Sequence, residues 1–479
     1  MSETKRKETS RWSILIIMVM GTFMAALDAS IVNVALPNMA RELQVSTSSI
    51  QLVATSYLVV VAGIVLIFGR LGDMLGKTRM FMLGLGLFTL SSLLCGITHS
   101  FPVLIMARVI QAIGAAGLMA NNQGIVTEVF PPSERGKALG ILGTAVALGS
   151  LVGPGLGGLI VGAASWEYIF LINIPIGIVV LFFAVRLLPR KSRIVKEKLD
   201  GLGALLFMVM IVSLFFALNE GLSRGFTSPV IITAFALSVT ALISFIILEK
   251  KREYPLLQLQ IFSNRLFSLS IFCGFISYIV IFCNNIILPF YLQDVRAYEP
   301  QQSGLILMLY PLVLSVTAPV GGYLSDKIGS EILTFIGLIL ISTGMFFMSI
   351  LNAATPLPLM LGYIAFMSVG MGLFQSPNNS LVMSTVPKNK LGIAGSVNAL
   401  VRNTGMACGI ALATTLLYGM MSRKLGYRVT NYVPGRSDAF IYGMRAVYIA
   451  AGSISLVGVI MTLIRLLGRK SRQEVGVKS

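Results

Sequence analysis

Gly69-Arg-Leu71-Gly-Asp73-Met-Leu-Gly76, followed at once by Lys77-Thr-Arg79, returns later in the chain as Gly322-Tyr-Leu324-Ser-Asp326-Lys-Ile-Gly329, displaced by 253 positions. The recurrence extends beyond this turn. At a displacement of 256, Gly114, Asn122, Pro131, Gly136, Gly149 and Gly153 meet Gly370, Asn378, Pro387, Gly392, Gly405 and Gly409. Small residues are frequent here, so a single match carries nothing. A nearly constant offset across four helices and their loops does: the chain is duplicated in parallel, as two homologous halves.

The segments between these turns are strongly apolar. Of 479 residues, 56% are hydrophobic and 12% charged, with a mean hydropathy of +0.86. That is too little charge to cover a soluble protein of this length, so the chain reads as an all-α polytopic membrane protein. Fourteen apolar runs are long enough to span a bilayer, from 12–36 to 440–466. No small-residue cleavage site follows the first, which reads as a retained span rather than a signal peptide. The runs at 201–219 and 229–248 have no counterpart in the repeat and read as an insertion. The expected organisation is an N-terminal six-helix bundle (1–188), two inserted helices with basic linkers (189–262), and a C-terminal six-helix bundle (263–479). Parallel repeats of this kind are the plan of alternating-access transporters.

The net charge of +18 does not point to nucleic acid, because the basic residues follow topology. Lys and Arg gather in the N-terminus, 70–79, 186–198, 250–265, 388–390 and 465–478, all on one side if the spans alternate. This is the positive-inside pattern, and it puts both termini in the cytoplasm. One loop dissents: 422–436 carries Arg423, Lys424, Arg428 and Arg436 on the outer side. A loop so late in the chain has the least say over orientation. Cys95, Cys273, Cys283 and Cys408 all fall in apolar segments, with no zinc or disulfide spacing, and the only histidine, His99, lies in a short turn. No metal or cofactor is expected. Without a Ser/His/Asp set or a phosphate-binding loop, an enzyme is not expected either.

Asp28 stands inside the first apolar run, with no other charged residue between Arg11 and Arg41. An ionised carboxylate at membrane depth costs roughly 2.5–3.5 kcal/mol or more, so it persists where it is paired, wet, or able to change its proton occupancy. The first span runs outward and the fourth inward. At about 1.5 Å per residue, Asp28 and Arg108 lie roughly 12 Å and 10 Å below the outer ends of their helices. A charge pair between them is therefore feasible. The cation favours the ionised carboxylate and burial favours the protonated one, which makes a group tunable for proton exchange. A static ion pair locking two helices is the alternative. Gln111 lies one turn from Arg108 on the same face and is placed to complete the hydrogen bonding.

Gly149, Gly153 and Gly157 leave one side of the fifth span without side chains, open to close approach by another helix. Pro154 can bend that helix. The stripe reads as tight packing alone or as a seal on the outer side. In the turn between the second and third spans, Gly69 and Gly76 permit a tight reversal. Asp73 can take a backbone N–H at a helix start, and Arg70, Lys77 and Arg79 can hold that carboxylate or touch lipid headgroups. This reads as an orientation anchor or a conformational switch. The second copy keeps Asp326 but has Ser330 in place of Lys77, and is expected to hold less firmly. Asn33, Tyr57, Asn122, Asn284, Gln375 and Asn378, with Arg402 in the thirteenth span, are polar at membrane depth and divide between helix–helix glue and cavity lining.

These residues carry a family resemblance. Gly69-x-Leu71-x-Asp73-x-x-Gly76-Lys77-x-Arg79 resembles motif A of the major facilitator superfamily. Leu27-Asp28-x-x-Ile31-Val32-Asn33-Val34-Ala35-Leu36-Pro37 is similar to the first-helix signature of its drug:proton antiporters. Arg108-x-x-Gln111-Ala112-x-Gly114-Ala115-x-Gly117 resembles motif B, and Gly149-x-x-x-Gly153-Pro154-x-x-Gly157-Gly158 the antiporter motif C. Trp166-Glu-Tyr-Ile-Phe170-x-Ile172-Asn173-x-Pro175-x-Gly177 also matches. With fourteen spans, the resemblance is to the EmrB/QacA-type branch. It implies the major facilitator fold and export of lipophilic compounds across a bacterial plasma membrane against proton entry, with fatty acids, lipids or other amphiphilic anions as the alternative cargo. Asp28 and Arg108 would couple protons. Asp28, Asn33, Tyr57, Gln111, Asn122, Asn284, Gln375, Asn378 and Arg402 would meet substrate. Motif A, motif C and Asp326 would switch conformation. The expected partners are the lipid bilayer, small lipophilic substrates and protons, with no nucleic acid, and the expected state is a monomer. With one mid-span carboxylate against two arginines, a dication would leave a charge unpaired, so monocations, zwitterions and neutral lipophiles are the expected cargo.

Overall fold

The computed structural model describes residues 3–131, 134–188, 200–252, 255–387 and 391–476. Among these residues there is no strand, and fourteen helices are long and apolar enough to cross a membrane. The first six are α1 (Arg11–Glu42), α2 (Thr47–Leu75), α3 (Lys77–Ile97), α4 (Phe101–Val129), α5 (Ile141–Ala163) and α6 (Tyr168–Leu187). The inserted pair is α7 (Gly201–Gly221) and α8 (Pro229–Glu249). The last six are α9 (Arg265–Val295), α10 (Pro300–Ser325), α11 (Ser330–Ser349), α12 (Leu357–Ser384), α13 (Ile393–Leu425) and α14 (Ser437–Leu467). The chain is an all-α polytopic membrane protein.

Some helices outrun their apolar stretch. α1 continues past Leu36 and through Pro37 to Glu42. Its last turn is polar and self-sustaining: Asn38 Nδ2 donates to Glu42 Oε1 at 2.9 Å, and Arg41 Nε to the Pro37 carbonyl at 3.3 Å. Apolarity marks where hydrocarbon ends, whereas the backbone ladder ends only where a cap or turn stops it.

The duplication is visible in the packing. α1 packs on α5, α2 on α4, α3 on α4 and α3 on α6; in the second half α9 packs on α13, α10 on α12, α11 on α12 and α11 on α14. The same glycines make the same crossings. A Cβ on Gly84 would lie 2.7 Å from the Gly114 carbonyl, and one on Gly337, its counterpart, 2.8 Å from the carbonyl of Gly370. In lipid there is no hydrophobic drive between helices, so such backbone approach supplies much of the packing. The quoted turns correspond too: Gly76 and Gly329 stand at φ +102° and +94°, where only glycine is unstrained.

Packing divides the chain into two units, one of Met1–Gln258 with Tyr298–Leu305, the other of Leu259–Ala297 with Ile306–Ser479. The inserted helices belong to the first unit, where Met208 and Ile211 of α7 lie against Gly63 of α2. Large apolar side chains such as Leu90, Met106, Ile178 and Leu205 are exposed, as is unexceptional for a surface facing hydrocarbon.

Candidate functional site

Asp28, at the middle of α1, is 1% exposed, as is Arg108 of α4. Arg108 Nη1 donates to Asp28 Oδ2 at 2.7 Å and to Gln111 Oε1 at 2.6 Å, and Arg108 Nε reaches the Val53 carbonyl of α2 at 3.0 Å. The other carboxylate oxygen, Oδ1, accepts from Gln111 Nε2 at 3.0 Å and Asn173 Nδ2 of α6 at 2.9 Å. Gln111 also donates to Ser92 Oγ of α3 at 2.8 Å. The guanidinium lies 4.4 Å from the centre of the Tyr57 ring and 5.5 Å from that of Phe170. Five helices thus converge on one ion pair. A buried pair holds only if its remaining lone pairs and protons are also satisfied, which Gln111, Asn173 and the Val53 carbonyl do here. In this conformation the carboxylate is closed to any ligand.

The glycine stripe of α5 packs on the segment of α1 that brackets Asp28. A Cβ on Gly149 would lie 2.8 Å from the Phe23 carbonyl, and one on Gly157 2.9 Å from that of Ile31; at Gly153 it would collide with the Ser30 side chain. Ser30 Oγ donates to the Gly149 carbonyl at 3.1 Å. Pro154 sits inside this helix, its carbonyl close to Gly304 within the same unit.

At the motif A turn, Lys77 Nζ stands 2.9 Å from Asp73 Oδ1 and 2.6 Å from Glu128 Oε1 of α4. Gly72 accommodates Asn121, whose Nδ2 donates to the Gly117 carbonyl at 2.9 Å. Gly69 and Arg70 lie one turn earlier, and Arg79 is exposed. In the second copy Ser325 and Ser330 bond to each other at 2.6 Å; the Asp326 side chain lies outside the described residues.

The remaining candidates are dispersed. Asn122 Nδ2 donates to the Met18 carbonyl at 3.2 Å and to Thr22 Oγ1, tying α4 to α1. Asn378 Nδ2 donates to the Ser270 carbonyl at 3.1 Å, and Asn284 Oδ1 accepts from Tyr448 Oη at 3.1 Å, so both join helices of the second unit. Asn33, Gln375 and Arg402 are half-buried and make no hydrogen bond or ion pair among the described residues. Sequence reasoning gave no site role to Asn173, Ser92 or Phe170. Asn173, an amide within an apolar run, carried a signal; the Val53 carbonyl carried none.

A model of the Major Facilitator Superfamily matches residues 18–410 and 270–479. The chain is 35% identical over 457 residues to the riboflavin transporter RibZ of Clostridioides difficile (strain 630), across 95% of this chain and 97% of that protein. It is 31% identical over 426 residues to multidrug resistance protein 3 of Bacillus subtilis (strain 168), across 89% and 83%. A crystal structure of a POT family transporter in complex with a thioalcohol-conjugated peptide superposes with a TM-score of 0.71 at 14% identity, over 96% of each chain. That last likeness is one of fold alone.

Proposed function

The chain belongs to the Major Facilitator Superfamily, a family of membrane transporters and not of enzymes, and from that we propose that it is a proton-coupled antiporter exporting lipophilic compounds. It would act by alternating access in a bacterial plasma membrane, with both termini cytoplasmic, as a member of the fourteen-helix EmrB/QacA-type branch.

The observation that carries this reading is the buried carboxylate of Asp28, held by Arg108, Gln111 and Asn173. A proton arriving on Asp28 cancels its attraction for Arg108 and weakens two further bonds at once, loosening α1 from α4 and α6. Proton and cargo then compete for one conformation of the protein, which is what keeps the two fluxes coupled. Relatives about 30% identical are named as multidrug resistance proteins or a multidrug transporter, which supports a broad lipophilic cargo.

A second reading follows from the 35% identity to a riboflavin transporter: a narrow preference for one flavin-like molecule. One experiment separates the two. Purified protein in proteoliposomes is given cationic, neutral and anionic dyes and riboflavin, with and without an imposed pH gradient. Gradient-driven movement of several unlike dyes supports the antiporter; movement of riboflavin alone supports the second reading; dye movement indifferent to the gradient overturns proton coupling.

A further inference from the structure

We propose that Arg402, with Gln375 and Asn398, forms a binding site for the anionic group of a lipophilic cargo molecule. The proposal rests on the transport reading above and names the charge of what is carried, replacing the monocations, zwitterions and neutral lipophiles expected from the sequence by an amphiphilic anion.

Of the charges placed within the spans, Asp28 and Arg108 neutralise each other at 2.7 Å, and Arg445 of α14 donates to the Ser349 carbonyl at 3.3 Å. Arg402 is left over. Arg402 stands nine residues into α13 from Ile393, about 14 Å along the helix at 1.5 Å per residue. That is well inside a hydrocarbon layer about 30 Å thick, where an unpaired arginine is costly. Among the described residues it has neither hydrogen bond nor ion pair, and it is only half-buried. Nor does a neighbouring helix offer a counter-charge at this depth: α12 contains no charged residue, those of α9, Arg265 and Asp294, lie at its two ends, and the carboxylate of α14, Asp438, lies at its start and pairs with Lys424 and Arg436.

The register of α12 and α13 places a second polar side chain at the level of Arg402. The two helices run antiparallel and are joined where Asn398 Nδ2 donates to Asn379 Oδ1 at 3.1 Å. One turn onward along α13 is Arg402, and one turn in the same direction along α12 is Gln375. Gln375 is likewise half-buried and without a hydrogen bond among the described residues. A guanidinium with five N–H groups can grip a carboxylate or phosphate in two places, and an amide at the same level on the adjacent helix can add a further donor. In an apolar surrounding, a cargo anion would supply the missing charge.

The test uses the full-length protein in nanodiscs and three fluorescent probes sharing one alkyl chain: a dansyl fatty carboxylate, its neutral amide and a trimethylammonium analogue. The wild type is expected to bind the carboxylate about tenfold more tightly than the amide. Arg402→Gln should erase that difference and leave the affinity for the amide within about twofold; Arg402→Lys should retain part of it. Equal binding of carboxylate and amide by the wild type overturns the site, and so does an Arg402→Gln loss equal for all three probes, which would mark a structural arginine. Failure of the antiport reading looks different. It leaves the carboxylate preference intact while a pH gradient drives no transport, whereas gradient-driven transport with preference for the ammonium probe overturns the anion site alone.

Discussion

Asn173 donates to the Asp28 carboxylate at 2.9 Å from 145 residues further along the chain. It shares the oxygen Oδ1 with Gln111, while Arg108 holds Oδ2. The amide thereby ties α6 to the same group that joins α1 and α4, so any change in the charge of Asp28 reaches three helices together.

Replacing Asn173 by Ala should cost about 1–3 kcal/mol of stability, the usual effect of removing a donor from a buried charged acceptor. The loss also frees α6 from the carboxylate that joins α1 and α4, so exchange between conformations should change with it. Thermal unfolding in detergent and the rate of efflux check both; an unchanged efflux rate beside a lowered stability would leave Asn173 a structural tie.

Asp28→Asn should abolish gradient-driven efflux, because the side chain keeps its shape but no longer titrates. The variant strands Arg108 in a buried site, at a cost of about 3–5 kcal/mol. Stability should fall as well, and adding Arg108→Gln should restore much of it without restoring transport. Efflux by Asp28→Asn at the wild-type rate and pH dependence would refute the proton-carrier role.

Asp73→Asn should retain ligand binding and slow exchange between inward- and outward-open states, since it removes one partner of Lys77 at the α2–α3 turn. Glu128, 2.6 Å from the same Nζ, keeps part of the contact. These carboxylates are a third or more exposed, so each pair is worth only about 0.2–1 kcal/mol. The single variants should be mild, and Asp73→Asn with Glu128→Gln should exceed their sum. Loss of binding by Asp73→Asn, with exchange intact, would move the residue into the ligand site.

Gly149→Ala should separate α5 from α1, because the added carbon meets the Phe23 backbone rather than a side chain that could rotate away. Overpacking of this kind costs about 1–3 kcal/mol. Proton leak through reconstituted vesicles should rise as transport falls. An unchanged leak would reduce the stripe to packing alone.

The fourteen spans and the duplication were legible because both are written in local chemistry. Runs of apolar residues need no tertiary information, and the positive φ at Gly76 and Gly329 demands the same residue in both halves. The depth argument also placed Asp28 and Arg108 at one level, since helical rise is fixed. What escaped was set by which side of a helix meets its neighbour. Asn173 reaches Asp28 only once α6 has packed beside α1, and the carbonyl of Val53 has no side-chain signature at all. Asn122 and Asn378 divide on the sequence between helix–helix glue and cavity lining, and in the structure they bond to backbone carbonyls of adjacent helices. Type and depth do not separate those two fates.

The 2.7 Å separation of Asp28 and Arg108 has an electrical consequence. A membrane potential acts on net charge, at about 2.3 kcal/mol per elementary charge per 100 mV. While the pair is intact, α1 and α4 can move across the field together with almost no work done by it. Once a proton occupies the carboxylate, the guanidinium is left as an uncompensated positive charge, and the same movement becomes electrogenic. On the antiport reading proposed above, an inside-negative voltage would pull the protonated form toward the cytoplasm and ignore the deprotonated one. The direction of the cycle would thereby be biased without any dedicated voltage sensor.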